Sequence, residues 1–367
     1  MEQIRVCTYA GPGAQPVIRS VPWPKVGKKG ALIKVGACGV CGTDLHILKG
    51  HWPKPLPWPF TLGHEIGGVL VDVGSDFTED FMSKPLKVGS KVMIPPLMPC
   101  GHCYYCIHYP QSANKCLTPV YYGRYLGFEK APHLWGGWAE YVYVDLDMLP
   151  GTKIYKLPDD MPLRLGALSE PLTSCIRAFN RATRAGGFTW GDTVVIQGSG
   201  PIGILAVAAA REMGAGRVIC VGAPEGPRLA LARKFGAEAT VDIEMVKTPA
   251  ERIQRVREIV GGFGADLVMD CSGIRAPAPK ASKCCATAAP MSRWANSPTP
   301  APLRPPGIAS APRTSMSLDR GVSPATICRW ASTCFIVPAA NTPGSTCRRS
   351  IRFRRPASGK RSPTRWR

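Results

Sequence analysis

Acid is what this chain lacks. Against 46 Lys and Arg it holds only 25 Asp and Glu. The deficit sits at one end: residues 276–367 carry 13 Arg and 3 Lys against a single acid, Asp319, a net +15 that leaves +6 of the total +21 for residues 1–275. A basic surface spread over a folded body would point to nucleic acid. An excess confined to one end does not, so no nucleic-acid partner is expected. Long apolar runs are missing too: the longest, Pro201–Ala210, falls far short of the ~20 residues that span a bilayer, which excludes a membrane helix. The chain opens Met-Glu-Gln-Ile-Arg, without a cationic and apolar leader, so the cytoplasm is the expected compartment. Periodicity is absent from residues 276–367, which hold 14 prolines among Arg, Ser, Thr and Ala. Their composition reads as disordered, and we expect an out-of-frame product there, with a natural low-complexity extension as the alternative.

What remains is an ordinary globular body of two-domain size, since single cores stop growing at roughly 250–300 residues. The first half reads as many short strands broken by Gly and Pro: Ile4–Ala10, Pro16–Val21, Ala31–Cys38, Ile66–Val73, Lys87–Ile94 and Ala139–Val144. That pattern predicts a β-rich, barrel-like first domain over residues 1–157. The second domain, 158–275, alternates: a helix opened by Ser169-Glu170-Pro171 (Thr173–Arg181), a buried strand Thr193–Gln197, a helix Ile202–Met213, a strand Arg217–Val221, a helix Pro227–Phe235 and a strand from Asp266. This is the rhythm of a doubly wound parallel sheet, left incomplete at its far edge by the change in composition after Gly273.

Three clusters carry chemistry. The first is Cys38-Gly-Val-Cys41-Gly-Thr-Asp-Leu-His46, answered by Gly63-His64-Glu65. A thiolate, an imidazole and a carboxylate are the ligand types of a catalytic zinc, which keeps one position open. The second is Cys100, Cys103, Cys106 and Cys116, a four-thiolate set matching closed structural zinc, with an iron–sulfur cluster as the alternative. Fifteen cysteines in such a chain point to metal and thiol chemistry rather than a disulfide framework. The third is Gly198-Ser-Gly200-Pro201-Ile202-Gly203, set between a buried strand and a helix. There it is a dinucleotide fingerprint: a tight turn at Gly198, amides close to the pyrophosphate at Gly200, and close helix–sheet packing at Gly203.

These motifs occur together in one order, and over residues 1 to about 275 the chain resembles the medium-chain, zinc-dependent alcohol dehydrogenases, which include sorbitol and threonine dehydrogenases. The resemblance implies a GroES-like catalytic domain, a Rossmann coenzyme domain and a homodimer or homotetramer. It implies Cys41 and His64 as catalytic-zinc ligands with Glu65 beside them, and Glu170 in the third-ligand position that the polyol branch fills with glutamate. Glu65 alternatively stands behind the ligands, and Glu170 alternatively sits at a helix N-terminus. Cys38 is read as structural. Thr43 and His46 match the proton relay, and Asp44 the group that orients a ligand histidine. The implied reaction oxidises a small-molecule alcohol with hydride transfer to a nicotinamide. Two zinc ions are expected, one catalytic and one structural.

Cofactor choice turns on Gly222, where an acid for the ribose hydroxyls is expected; Glu225 replaces it if NAD is bound, and Arg228 favours NADP. NAD is the expectation. The aromatics His51-Trp52, Trp58, Trp135 and Trp138 suggest a bulky or cyclic secondary alcohol, unless they are packing; Glu170 suggests a polyol. The rival from another class is a non-catalytic, zinc-bearing protein that binds nucleic acid.

Overall fold

The computed structural model describes residues 3–273 and 292–293. Its first half is β1 (Gln3–Thr8), β2 (Val17–Pro22), β3 (Gly30–Gly39), a short α1 (Gly42–Leu48), β4 (Glu65–Val73), β5 (Lys91–Ile94), β6 (Leu97–Met98), α2 (Tyr104–His108), β7 (Val120–Tyr121), β8 (Tyr141–Asp145) and β9 (Tyr155–Lys156). A five-stranded antiparallel sheet in the order β8-β3-β4-β5-β9 forms its frame. Alternation in β1 turns Ile4 and Val6 into the same core as Leu32, Ile33, Ile66 and Leu70.

The second half is α3 (Leu163–Arg184), β10 (Thr193–Gln197), α4 (Pro201–Glu212), β11 (Arg217–Gly222), α5 (Ala230–Lys234), β12 (Ala239–Asp242), α6 (Pro249–Ile259), β13 (Leu267–Asp270) and β14 (Ser292–Arg293). These strands run parallel in the order β12-β11-β10-β13-β14, so the chain reverses direction across the sheet between β10 and β13. Ligands of such sheets bind at that switch, beyond the strands' carboxyl ends. Both faces are covered, which is why the strands read as unbroken apolar runs. Val194, Ile196, Val218, Cys220 and Met269 face α3 and α4, while Val195, Ile219, Val241 and Val268 pack with Val256 of α6.

Several expectations shift. The helix expected from Thr173 begins ten residues earlier, at Leu163, and carries Pro171 inside it. Proline is a start signal because it lacks an N–H, but packing overrides it here. Gly67 of β4 and Gly166 of α3 let strand and helix backbones touch: a Cβ on Gly67 would lie 2.9 Å from the Ala167 nitrogen. The helix is held across the sheet at that point, and Glu170, one turn on, is therefore interior to it. The helix expected at Pro227–Phe235 is an irregular turn, Glu225–Leu229, running into α5. Elements α1, α2, β12 and α6 were not anticipated. The expectation of a disordered or out-of-frame segment at 276–367 lies outside the described residues, apart from Ser292–Arg293, which pair in parallel with β13 and so continue the edge expected to be bare.

Candidate active site

Cys41 stands at the N-cap of α1, and Asp44 follows within the first turn. The Cys41 N–H donates to Asp44 Oδ2 at 2.9 Å, which fixes the loop that presents the thiol. The other Asp44 oxygen, Oδ1, lies 3.2 Å from His64 Nδ1, without the alignment of a full hydrogen bond. One buried carboxylate thus holds two of the expected ligands in place, leaving the far ring nitrogen of His64 for a metal. The ligand atoms of Cys41, His64 and Glu65 lie within 4.8 Å of one another. Cys38 is not among them; a side chain on Gly63 or Gly137 would meet its sulfur, so it packs between those glycines.

The electrostatics ask for a cation. Burial raises the Glu65 carboxyl to about 7, reinforced by the negative charge of Glu170. Burial likewise raises Glu170, opposed by the charges of His64 and Arg124. At His64 burial disfavours charge, but Asp44 and Cys41 outweigh it and carry the imidazole up to about 10. Two acids packed out of water beside a thiol and an imidazole are the surroundings a dication relieves. The donor set therefore fits zinc. Glu170 is near enough to be felt by Glu65 and His64 but is not in the close trio. Its helix N-terminal alternative is set aside by its place inside α3. Thr43 and His46 both lie on α1, one turn apart and so on one face.

Cys100, Cys103, Cys106 and Cys116 also converge within 4.8 Å. Their sulfurs are spaced as ligands, not bonded: Cys103 to Cys106 is 3.5 Å and Cys100 to Cys106 is 3.9 Å. The Cys100 N–H donates to Cys116 Sγ at 3.2 Å. Hydrogen bonds from the His102 backbone and the Thr118 side chain draw the Cys100 thiol down, while desolvation and the neighbouring sulfurs push Cys106 up. A single 3₁₀ turn, Pro110–Lys115, takes up the long last gap between the cysteines.

At the other end, the Gly-rich turn leaves β10 with Gly198 at φ +112°, its N–H donating to Val221. Gly200 caps α4 with open space around it, Pro201 follows at the first helical position, and Ile202 packs on the core. Gly203 presses on the carbonyl of Gly198. An open glycine ahead of a helix N-terminus leaves room for a phosphate to approach the backbone amides. At the end of β11 the expected acid is indeed replaced by Gly222, and the Ser199 hydroxyl fills the space a side chain would take there. That hydroxyl accepts from the Ala223 N–H at 3.0 Å and donates to the Ala223 carbonyl at 2.9 Å. Glu225 pairs with Arg233, while Arg228 is exposed.

Of the aromatics taken as cleft lining, Trp135 is core, tilted against Tyr122 and edge-to-face with Tyr143. Trp52, Trp58 and Trp138 gather instead around Ile47, Phe60 and Leu62, beside α1. Sequence reasoning missed Arg124, whose guanidinium lies 4.3 Å from the Tyr121 ring and 5.2 Å from the Trp52 ring. Its signal was a lone cation inside an aromatic run.

The alcohol dehydrogenase GroES-like domain matches residues 27–159, and the zinc-binding dehydrogenase domain matches 201–323. L-Threonine 3-dehydrogenase of Bacillus licheniformis is 34% identical over 264 residues, 71% of this chain and 67% of that protein. The chain belongs to the medium-chain, zinc-dependent alcohol dehydrogenase family. 5-exo-Hydroxycamphor dehydrogenase of Pseudomonas putida is 35% identical over 247 residues, 66% of this chain and 63% of that relative. A protein of Sinorhizobium meliloti 1021, assigned as a zinc-binding dehydrogenase and solved bound to NADP, superposes with a TM-score of 0.67. It is 28% identical, covering 83% of this chain and 80% of its own. The chain spans about two thirds, or slightly less, of the curated relatives it matches. The zinc-binding dehydrogenase match continues to residue 323, past the limit near 275 set by the sequence motifs.

Proposed function

We propose that the chain oxidises an alcohol to its carbonyl, with residues 1–157 as catalytic domain and 158–275 as coenzyme domain. The observation that carries this is the convergence of Cys41, His64 and Glu65, braced by Asp44. Zinc would supply Lewis acidity to the alcohol, and the nicotinamide would supply the hydride acceptor. Cys41, His64 and either Glu65 or Glu170 hold the metal. Thr43 Oγ1 takes the alcohol proton as it gives up its own hydroxyl proton, which passes on to the His46 imidazole and so towards solvent. The Gly198–Gly203 turn and the start of α4 bind the pyrophosphate. Cys100, Cys103, Cys106 and Cys116 close around a second, structural zinc. The family resemblance supports a homodimer or homotetramer working in the cytoplasm; among the described residues no helix is long and apolar enough to cross a membrane.

Metal analysis of the purified chain is expected to give two zinc ions, and exhaustive chelation to abolish oxidation of a panel of secondary, cyclic and polyhydric alcohols. A full rate with no detectable metal would overturn the zinc reading.

NAD is the cofactor we propose. Arg233 donates to Glu225, holding that carboxyl below its usual range, so a fixed negative acceptor stands near the end of β11. A ribose hydroxyl can donate to it, whereas a 2′-phosphate is repelled. Arg233 is occupied, bonding Glu225 and also Thr240 at 2.7 Å. We expect kcat/KM for NAD to exceed that for NADP by about tenfold or more, as one charge-assisted contact allows. A preference for NADP would assign the role to Arg228 instead.

A further inference from the structure

Among the described residues Arg124 is a charge without an anionic partner: its Nε is buried with no hydrogen-bond acceptor there, and it forms no ion pair. Guanidinium stays charged under all physiological conditions, and burying it unpaired is costly. Stacking on Tyr121 and Trp52 offsets part of that cost and fixes the plane of the group. The stacked indole is in the same state: Trp52 Nε1 is also buried without an acceptor. Two donors of neighbouring side chains are therefore buried with no acceptor among the described residues.

The chain carries this pair close to the candidate zinc site. Gly123, at φ +72°, lies so close to Gly63 that a Cβ would meet the Gly63 carbonyl oxygen at 2.6 Å. Arg124 and His64 are the next residues on either side of this backbone contact. The charge of Arg124 is felt at Glu170, where it opposes the effect of burial. Trp52 packs beside α1, which carries Thr43 and His46. Among the described residues Glu170 forms no ion pair with Arg124.

We propose that Arg124 and the indole N–H of Trp52 form the oxyanion site of the substrate cleft, so that the alcohol oxidised here bears a carboxylate or phosphate group. This rests on the dehydrogenase reading for the alcohol, but not for the anion site itself. The fork of a guanidinium matches either oxyanion, and the indole adds a single donor.

Two measurements on the full chain test it. Calorimetric titration with inorganic phosphate and with acetate is expected to show binding that weakens about tenfold to a hundredfold in Arg124→Met and is partly restored in Arg124→Lys. Unchanged binding in Arg124→Met overturns the site. The second measurement compares matched alcohols: glycerol 3-phosphate against glycerol, and 3-hydroxybutyrate against 2-butanol. The pair with the larger anionic preference identifies phosphate or carboxylate, and in Arg124→Met that preference collapses, chiefly through KM. Neutral alcohols oxidised as well as their anionic partners by the unaltered chain overturn the substrate assignment while the dehydrogenase reading stands. Oxyanion binding that depends on Arg124 in a chain oxidising no alcohol supports the anion site and sinks the dehydrogenase reading instead.

Discussion

Replacing His64 by alanine is expected to lower turnover by about a thousandfold or more and to reduce bound zinc from two ions per chain to one. The imidazole is one of three converging ligand side chains, and without it Cys41 and Glu65 no longer enclose a tetrahedral site. A thousandfold loss corresponds to about 4 kcal/mol of activation free energy, a reasonable amount for removing Lewis-acid assistance. Cys41→Ser should behave alike, because a hydroxyl is a far poorer zinc ligand than a thiolate. Asp44→Asn is a graded control. It leaves all the ligands but weakens the brace that links the Cys41 backbone to the His64 ring. The expected cost is about tenfold to a hundredfold in metal affinity. The retained zinc in each variant belongs to the four-cysteine lobe, which makes metal content an internal check that the chain has folded. Two zinc ions retained in His64→Ala, or an undiminished rate, would remove His64 from the metal site.

The second large effect is expected at the Gly-rich turn. In Gly203→Val, the new side chain would meet the Gly198 carbonyl, whose carbon lies 2.7 Å from an added Cβ. The start of α4 must then lift from the turn. Dinucleotide affinity should fall at least about a hundredfold, or roughly 2.8 kcal/mol, and the melting temperature should fall as well, since overpacking is itself destabilising. Gly200→Ala separates the two effects. Nothing lies within 4 Å of a Cβ there, so the protein tolerates the methyl group. The methyl would occupy space needed for the phosphates, lowering affinity without a matching loss of stability. Equilibrium titration with NADH, followed by fluorescence, and thermal unfolding of both variants distinguish the outcomes. Unaltered binding in Gly203→Val would relocate the coenzyme site.

Much of this was legible in one dimension. Strand β10 and its glycine turn are contiguous, so their meaning needs no distant partner: an apolar run buried on both faces, then Gly198, Gly200 and Gly203 at the offsets the turn requires. The lobe cysteines span only residues 100–116 and close on themselves. Helix α3 was harder. Pro171 announces a start, while the start itself depends on Gly67, about a hundred residues earlier in the chain, which carries no helix signal. The aromatic residues misled for a similar reason. Trp135 and Trp52 have the same composition signal, yet one fills the core and the other borders the site.

By itself, the sequence determined which chemical groups are present and which short-range frames carry them. These are the thiolates, the imidazole, the glycine turn and the confinement of the charge excess to residues 276–367. Tertiary structure alone decided which of these groups meet. Cys41 and His64 are brought together by the antiparallel pairing of β3 with β4, and Glu170 comes near them because two glycine backbones touch. Among the described residues Arg124 is left without an ion pair. The physical reason is that periodicity and turn chemistry act over a few residues, whereas burial, charge and ligand geometry depend on neighbours that sequence separation does not reveal.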